Sequence, residues 1–180
     1  MRELPVLETE RLILRPPQSE DFQPWTEFHA DAEVMEFLGG VQGPELTWRS
    51  VCAMTGAWMI EGFSMFSIIE KASGNWVGRL GPWRPNGWPG TEIGWGLARS
   101  AWGRGYATEG AAAAMDYVVD HLGWTEIIHT ILPENTGSIR VAERLGSRYL
   151  RQAPTPPPFE GMLWDVYGQS ADEWRALRQT

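Results

Sequence analysis

The nine residues WGRGYATEG at 102–110 constrain this chain more than any other stretch. They join a run that reads as a strand to an alanine-rich run that reads as a helix. Gly103, Gly105 and Ala107 leave that junction almost bare of side chains. A tight strand-to-helix loop turns several backbone N–H groups the same way, at the positive end of a helix dipole. Such a loop binds an anion, phosphate above all, through its main chain, with Arg104 adding charge from the side. The same small residues also suit plain close packing of strand on helix, and the loop alone leaves both readings open. Two familiar phosphate loops are excluded by the letters. No Lys-Ser or Lys-Thr pair closes the stretch, and Thr108 stands where a dinucleotide fingerprint needs glycine or alanine.

Around this loop the periodicity predicts strands at 10–16, 62–70, 75–81, 91–98, 126–132, 147–151 and 162–168. It predicts helices at 19–31 with Ser19 as cap, 32–38, 44–60, 106–122 and 135–146, and a last one near the C-terminus. A proline-rich loop, APTPPPFEG at 153–161, separates the last two strands. Neither a repeat nor a linker interrupts the order, so residues 1–180 read as one domain. The class is α+β with a mixed sheet of about seven strands in a three-layer arrangement. In helix 44–60 the spacing of Trp48, Val51, Cys52, Thr55, Trp58 and Met59 predicts a buried stripe. The single cysteine, Cys52, excludes an internal disulfide and a cysteine-rich zinc site, and is expected to be packing material. A formal net charge of −8 argues against a nucleic-acid partner or an anionic membrane surface. No stretch approaches ~20 apolar residues. A soluble, cytoplasmic chain is the expectation, as monomer or homodimer.

Several separated segments, LETERLILRP, EVMEFLGG, TEIGWGLA, WGRGYATEG and PENTGSIRVAERLG, occur in an order that resembles the GNAT superfamily of acetyl-CoA-dependent N-acetyltransferases, in its ribosomal-protein (Rim-type) branch. The family signature Gln/Arg-x-x-Gly-x-Gly/Ala aligns with residues 102–107, Trp102 replacing the Gln/Arg. Ser147 stands where the family usually has phenylalanine, a change of packing more than of chemistry. The resemblance implies a sheet that splays between its fourth and fifth strands, with helices on both faces. It implies acetyl-CoA as co-substrate and no metal. It further implies that Trp102, Gly103, Arg104, Gly105, Tyr106, Ala107 and Thr108 hold the coenzyme pyrophosphate, and that Leu97, Ala98 and Arg99 pair with the pantetheine arm. A backbone N–H near Leu97 would meet the oxyanion.

Acetyl transfer to an amine requires that an ammonium lose its proton, that an oxyanion be stabilised and that a thiolate leave. In strand 91–98, Glu92, Gly94, Gly96 and Ala98 share one face and Ile93, Trp95 and Leu97 the other. A carboxylate followed by nearly bare positions resembles the floor of a substrate site, so Glu92 is the candidate base and Gly94 a candidate substrate contact. The alternative for Glu92 is a solvated charge on an edge strand. The helix at 135–146 lacks the tyrosine that many family members use as acid. Ser138 takes that place, and Asn135 and Ser138 sit where the branch contacts the cofactor, although both types also favour helix caps. Trp83 and Trp88, in GPWRPNGWPG beside Glu92, wall a cleft for the acceptor or else pack across the sheet. His29, His121 and His129 form no constellation and read as structural. Two function classes remain at this point: an N-acetyltransferase acting on a primary amine, either a protein N-terminus or a small molecule, and a non-catalytic acyl-CoA-binding regulatory module.

Overall fold

The computed structural model describes residues 4–155, 161 and 163–179. The alternating Leu-Ile-Leu-Arg of β2 (Leu12–Arg15) turns Leu12 and Leu14 fully inward, the pattern of a strand covered on one face. With it, β1 (Leu7–Glu8), β3 (Phe66–Glu70), β4 (Trp76–Trp83), β5 (Glu92–Leu97), β6 (Glu126–Ile131), β7 (Arg148–Pro154) and β8 (Leu163–Ser170) build one sheet. Its order is β1-β2-β3-β4-β5-β6-β8-β7. The two-residue β1, too short to show a period, raises the count from the expected seven to eight. The proline-rich loop lies largely outside the described residues.

Every neighbouring pair is antiparallel except β5 and β6, which run parallel and share one Cα pair, Glu92 with Ile128. Ile128 N–H donates to Thr91 O at 2.9 Å, and beyond that point the two strands part. This is the expected splay, shifted one number along the chain by β1. The fork holds the ring of His129. Its Nδ1 lies 2.7 Å from Ile93 O, so Nδ1 carries the proton, and Nε2 accepts from Ser147 Oγ at 3.0 Å. Gln169 Nε2 in turn donates to Ser147 Oγ at 3.0 Å. Burial lowers the His129 pKa to about 4, which keeps the ring neutral. The serine that replaces the family's phenylalanine is a working partner in this buried chain.

Helices cover both faces. On one, Ala111, Ala114, Met115 and Val118 of α4 (Tyr106–Asp120) close on Leu12, Leu14, Phe66, Ile68, Leu80 and Ile93. The ends of α5 (Thr136–Arg144) and α6 (Ala171–Leu177) add Leu145 and Trp174 to the same core. On the other face, α1 (Phe22–Ala30), α2 (Ala32–Met35) and α3 (Pro44–Ile60) pack Trp25, Phe28, Val34, Met35 and Met54 with Met65. A 3-10 turn at Ser19–Asp21, with Gln18 and not Ser19 at its cap, leads into α1. The buried Asp21 carboxylate anchors it by accepting from Arg15 at 2.7 and 2.8 Å and from Ser67 at 2.7 Å.

The expected stripe of α3 is rotated. Thr47, Met54 and Trp58 are the buried residues, whereas Trp48 and Met59 are 59 % and 73 % exposed and Cys52 lies at the surface. Both stripes carry apolar residues at helical spacing. The inner one keeps the expected Trp58 and adds Thr47, which is fully buried with Oγ1 3.0 Å from His29 Nδ1.

Candidate active site

The splay and the α1–α3 layer enclose a cavity of about 410 Å³. Glu92 opens β5 on its wall, in register with Trp83 of β4. The carboxylate is 5 % exposed, which excludes the solvated-edge alternative. Two neighbours fix it. Oε1 accepts from Thr130 N–H at 3.0 Å and Thr130 Oγ1 at 2.8 Å, and Oε2 accepts from Trp88 Nε1. The Thr130 N–H belongs to the part of β6 that has diverged from β5, so the glutamate occupies a donor released by the splay. Burial raises the Glu92 pKa above the ordinary carboxylate value. The bonds from Thr130 and Trp88 and the field of Arg79 pull the other way. Trp83, Trp88 and Gly94 all line the cavity, and Trp88 also packs on Trp164 with ring centres 4.8 Å apart.

The bare face of β5 is a floor only at its first half. A Cβ on Gly94 would come within 2.9 Å of Met65 Cε and 3.5 Å of Glu92 Oε1. A Cβ on Gly96 would come within 2.9 Å of Phe28 Cζ, so that position is roofed by protein side chains. The glycines here admit Met65 and Phe28 close to the strand.

On the edge of β5 facing the fork, the main chain is open. Ala98 N–H donates to Val77 O of the preceding segment at 2.9 Å, and the ladder pairs Gly96 with Arg79 and Gly94 with Gly81. The alternation therefore directs the N–H groups of Trp95 and Leu97 away from β4, into the splay. Leu97 O is taken by Trp102 Nε1 at 2.9 Å, which ties the end of the strand to the glycine loop. Across the fork, Asn135 caps α5 by accepting from Ser138 N–H at 3.0 Å. Ser138 Oγ accepts from Trp95 Nε1 at 3.1 Å, and the hydroxyl retains its own proton to donate. Asn135 and Ser138 both line the same cavity as Glu92.

At the glycine loop, Gly103 and Gly105 adopt φ of 72° and 80°, a left-handed backbone that favours glycine. Gly105 caps α4 with no side-chain cap bond, so the first-turn N–H groups, those of Tyr106, Ala107 and Thr108, point outward without helical partners. No atom lies within 4 Å of a Cβ placed on Gly103. The loop is held from below by residues that sequence reasoning missed. Glu109 accepts from Thr9 Oγ1 at 2.6 Å, Arg11 N–H at 2.9 Å and Arg11 Nε at 2.7 Å, and Arg11 Nη1 donates to Arg104 O at 2.9 Å. Arg104, expected to add charge beside the loop, is paired, and so is Arg99. Arg104 meets Glu70 at 2.6 Å, and Arg99 meets Glu33 at 2.6 Å. Tyr106 is buried and donates to the same Glu70 oxygen at 2.5 Å, a packing role.

Residues 11–148 match the family model for the acetyltransferase (GNAT) domain. The chain belongs to the GNAT acetyltransferase family. It is 31 % identical to the N-acetyltransferase p20 of Bacillus licheniformis over 166 residues, 89 % of this chain and 92 % of that one. The crystal structure of an acetyltransferase from Agrobacterium tumefaciens superposes with a TM-score of 0.80 at 30 % identity, covering 94 % of this chain and 96 % of the other. RimJ of Mycobacterium smegmatis, solved in complex with CoA-disulfide, shares the fold with a TM-score of 0.71 at 22 % identity, covering 94 % of this chain and 88 % of that one. This GNAT protein is an acyltransferase, and its acetyl donor is acetyl-CoA. The uncapped start of α4 and the open edge of β5 fit such a donor. Among the described residues no cluster of three or more His, Cys, Asp or Glu side chains comes together as a metal site, and no helix is long and apolar enough to cross a membrane.

Proposed function

We propose that the protein transfers the acetyl group of acetyl-CoA directly to a primary amine in a ternary complex, with Glu92 as base and Ser138 as acid. The buried carboxylate of Glu92, facing a cavity that reaches the open edge of β5, carries this reading. Oε2 of Glu92 has a single protein donor, Trp88, and so keeps acceptor capacity for an ammonium. A carboxylate whose pKa is raised by burial is a better base at neutral pH than an exposed one. It removes a proton from the ammonium, the freed nitrogen forms the new C–N bond, and the C–S bond breaks. Ser138 Oγ gives its proton to the departing sulfur and regains one from the nitrogen, which sheds its second proton as the amide forms. The N–H of Leu97, directed away from β4, suits negative charge growing on the acetyl oxygen.

Acetyl-CoA supplies the activated acyl group, and the chain supplies positions for its handle. The first-turn N–H groups after Gly105 suit the pyrophosphate, and Arg11, 44 % exposed in its side chain beside the loop, is within reach of it. The edge at Leu97, Ala98 and Arg99 suits the pantetheine amides. The acceptor is a protein N-terminal α-amine or a small amine. An α-amine with pKa ~8 is roughly a tenth neutral at pH 7, against under a thousandth for a lysine amine near ~10.4, and a single carboxylate base suits the former. The test is release of CoA thiol from acetyl-CoA with N-terminal peptides, polyamines and amino sugars. Acceptor-dependent release, strongest for amines of low pKa, supports the reading. Tight acetyl-CoA binding without release for any amine overturns it.

A further inference from the structure

Arg79 lies on β4 opposite Gly96, on the same sheet face as Glu92, and lines the cavity. Its Nε is buried without any hydrogen-bond partner, and the one bond of its guanidinium is from Nη1 to the sulfur of Met65 at 3.0 Å, a weak acceptor. Among the described residues no carboxylate lies within 4.0 Å of it. Arg15 on β2, one strand beyond the neighbouring β3, shows what the fold does with a structural arginine, since Asp21 and Ser67 form a closed network with it. Burial lowers the Arg79 pKa to about 10, which leaves it charged at neutral pH. A partly buried cation whose one facing charge, Glu92, makes no direct ion pair with it is costly to keep unless something else helps to neutralise it.

A second orphan lines the same cavity. Gln42 Oε1 is a buried acceptor with no partner. Of the ionisable groups there, Glu92 is held by Thr130 and Trp88, and His29 Nδ1 meets Thr47. His29 is neutral, with its pKa lowered to about 4 by burial and by Arg79, so the charges facing Arg79 reduce to Glu92. The cavity thus presents one bound carboxylate, one free guanidinium and one free amide oxygen between walls of Trp83, Trp88 and Trp164. An N–H-bearing molecule with a negative group completes that set. The coenzyme phosphates do not, because none of residues 102–108 lines this cavity.

We infer that the acceptor is a small amine bearing a carboxylate, of the free amino-acid type, with its anion on Arg79, its ammonium on Glu92 and an N–H on Gln42. The inference rests on the acetyl-transfer reading for its chemistry but not for its binding. The guanidinium selects against amines without the anion, and the aromatic walls favour an apolar side chain.

The experiment compares three matched pairs on the purified protein: phenylalanine with phenethylamine, tryptophan with tryptamine and leucine with isoamylamine. Binding is followed by calorimetry and CoA release by thiol assay. A peptide with a free N-terminus and a neutral second residue is a further arm. The expected result is a carboxylate advantage of roughly 10- to 100-fold in at least one pair, the size of a charge-assisted bond, over both the bare amine and the peptide. In Arg79→Met that ratio falls to about one, while Tm stays level or rises because an uncompensated charge has been removed. Arg79→Gln, which keeps a polar group, gives the same collapse. The inference is overturned if no carboxylate member binds, if both members of each pair bind alike, if the peptide is preferred, or if Arg79→Met lowers Tm and weakens both members equally. Carboxylate binding that depends on Arg79 without any CoA release would sink the acetyl-transfer reading and leave this one standing.

Discussion

The two ends of β5 solve opposite problems by opposite means. At its start, Glu92 is a side-chain device, held by Thr130 and Trp88 so that one carboxylate stands buried in a defined place. Past its end, the glycine loop is a backbone device, in which side chains are removed so that N–H groups stand bare at the start of α4. On the proposed reading the first end supplies chemistry at one atom and depends on residue type. The second needs a surface of dipoles and tolerates no added bulk. Between them the splay, filled by His129, opens the strand edge. The difference implies that substitutions at the first end act on kcat and that those at the second act on KM for acetyl-CoA.

After substitution of Glu92 itself, the largest separation is expected from Ser138→Ala, across the fork on the side-chain end. It should lower kcat by about 10²-fold with little change in acetyl-CoA binding, since the capping bond from Ser138 N–H to Asn135 is kept. Steady-state kinetics with both substrates varied checks this. Equal loss in kcat and in acetyl-CoA affinity would break the contrast. Next comes Gly105→Val. A β-branched residue at φ 80° costs roughly 1–3 kcal/mol of stability, and its side chain stands before the helix N–H groups. KM for acetyl-CoA should rise about tenfold or more while kcat at saturation falls less. An unchanged KM in folded protein would remove the phosphate role from the loop. The smallest effect is Thr130→Val, which deletes one of the two bonds to Oε1 and keeps the backbone one. A bond that favours the charged carboxylate is lost, so the Glu92 pKa rises further. The acid limb of kcat/KM should move to higher pH, and a pH profile reads it directly. A limb that moves down would reverse the sign argument.

The two ends also differed in how far the letters revealed them. The loop at 103–108 was legible as a candidate, because glycines at a strand-to-helix junction suit either close packing or an exposed main chain, and the structure shows its N–H groups uncapped. So were the eventual positions of Glu92 and Ser138, through alternation along one strand and place within one helix. What held them was not. Thr130 and Trp88 meet Glu92 only because β6 splays, and Arg79 faces it only through the register of β4. Thr9, Arg11 and Glu109 support the loop across about a hundred residues of sequence. The rotation of α3 was hidden too. Two apolar stripes fit the helical period, and the one turned inward carries the polar contact between Thr47 and His29. Long-range polar partners leave no period in a sequence, just as the two residues of β1 are too few to show one.

The central claim is that Glu92 takes the proton, and Glu92→Gln tests it most directly because the amide keeps the shape and the acceptor oxygen but not the basicity. The measurement is the pH dependence of kcat for the variant and the wild type with one α-amine acceptor, alongside acetyl-CoA affinity. The account predicts a fall in kcat of ~10²–10⁴ near neutral pH, an acetyl-CoA affinity close to wild type, and recovery as pH rises towards the acceptor's own pKa. The recovery comes because more of the amine then arrives already neutral. A fall of less than about threefold, or a large fall that rising pH does not relieve, would contradict it.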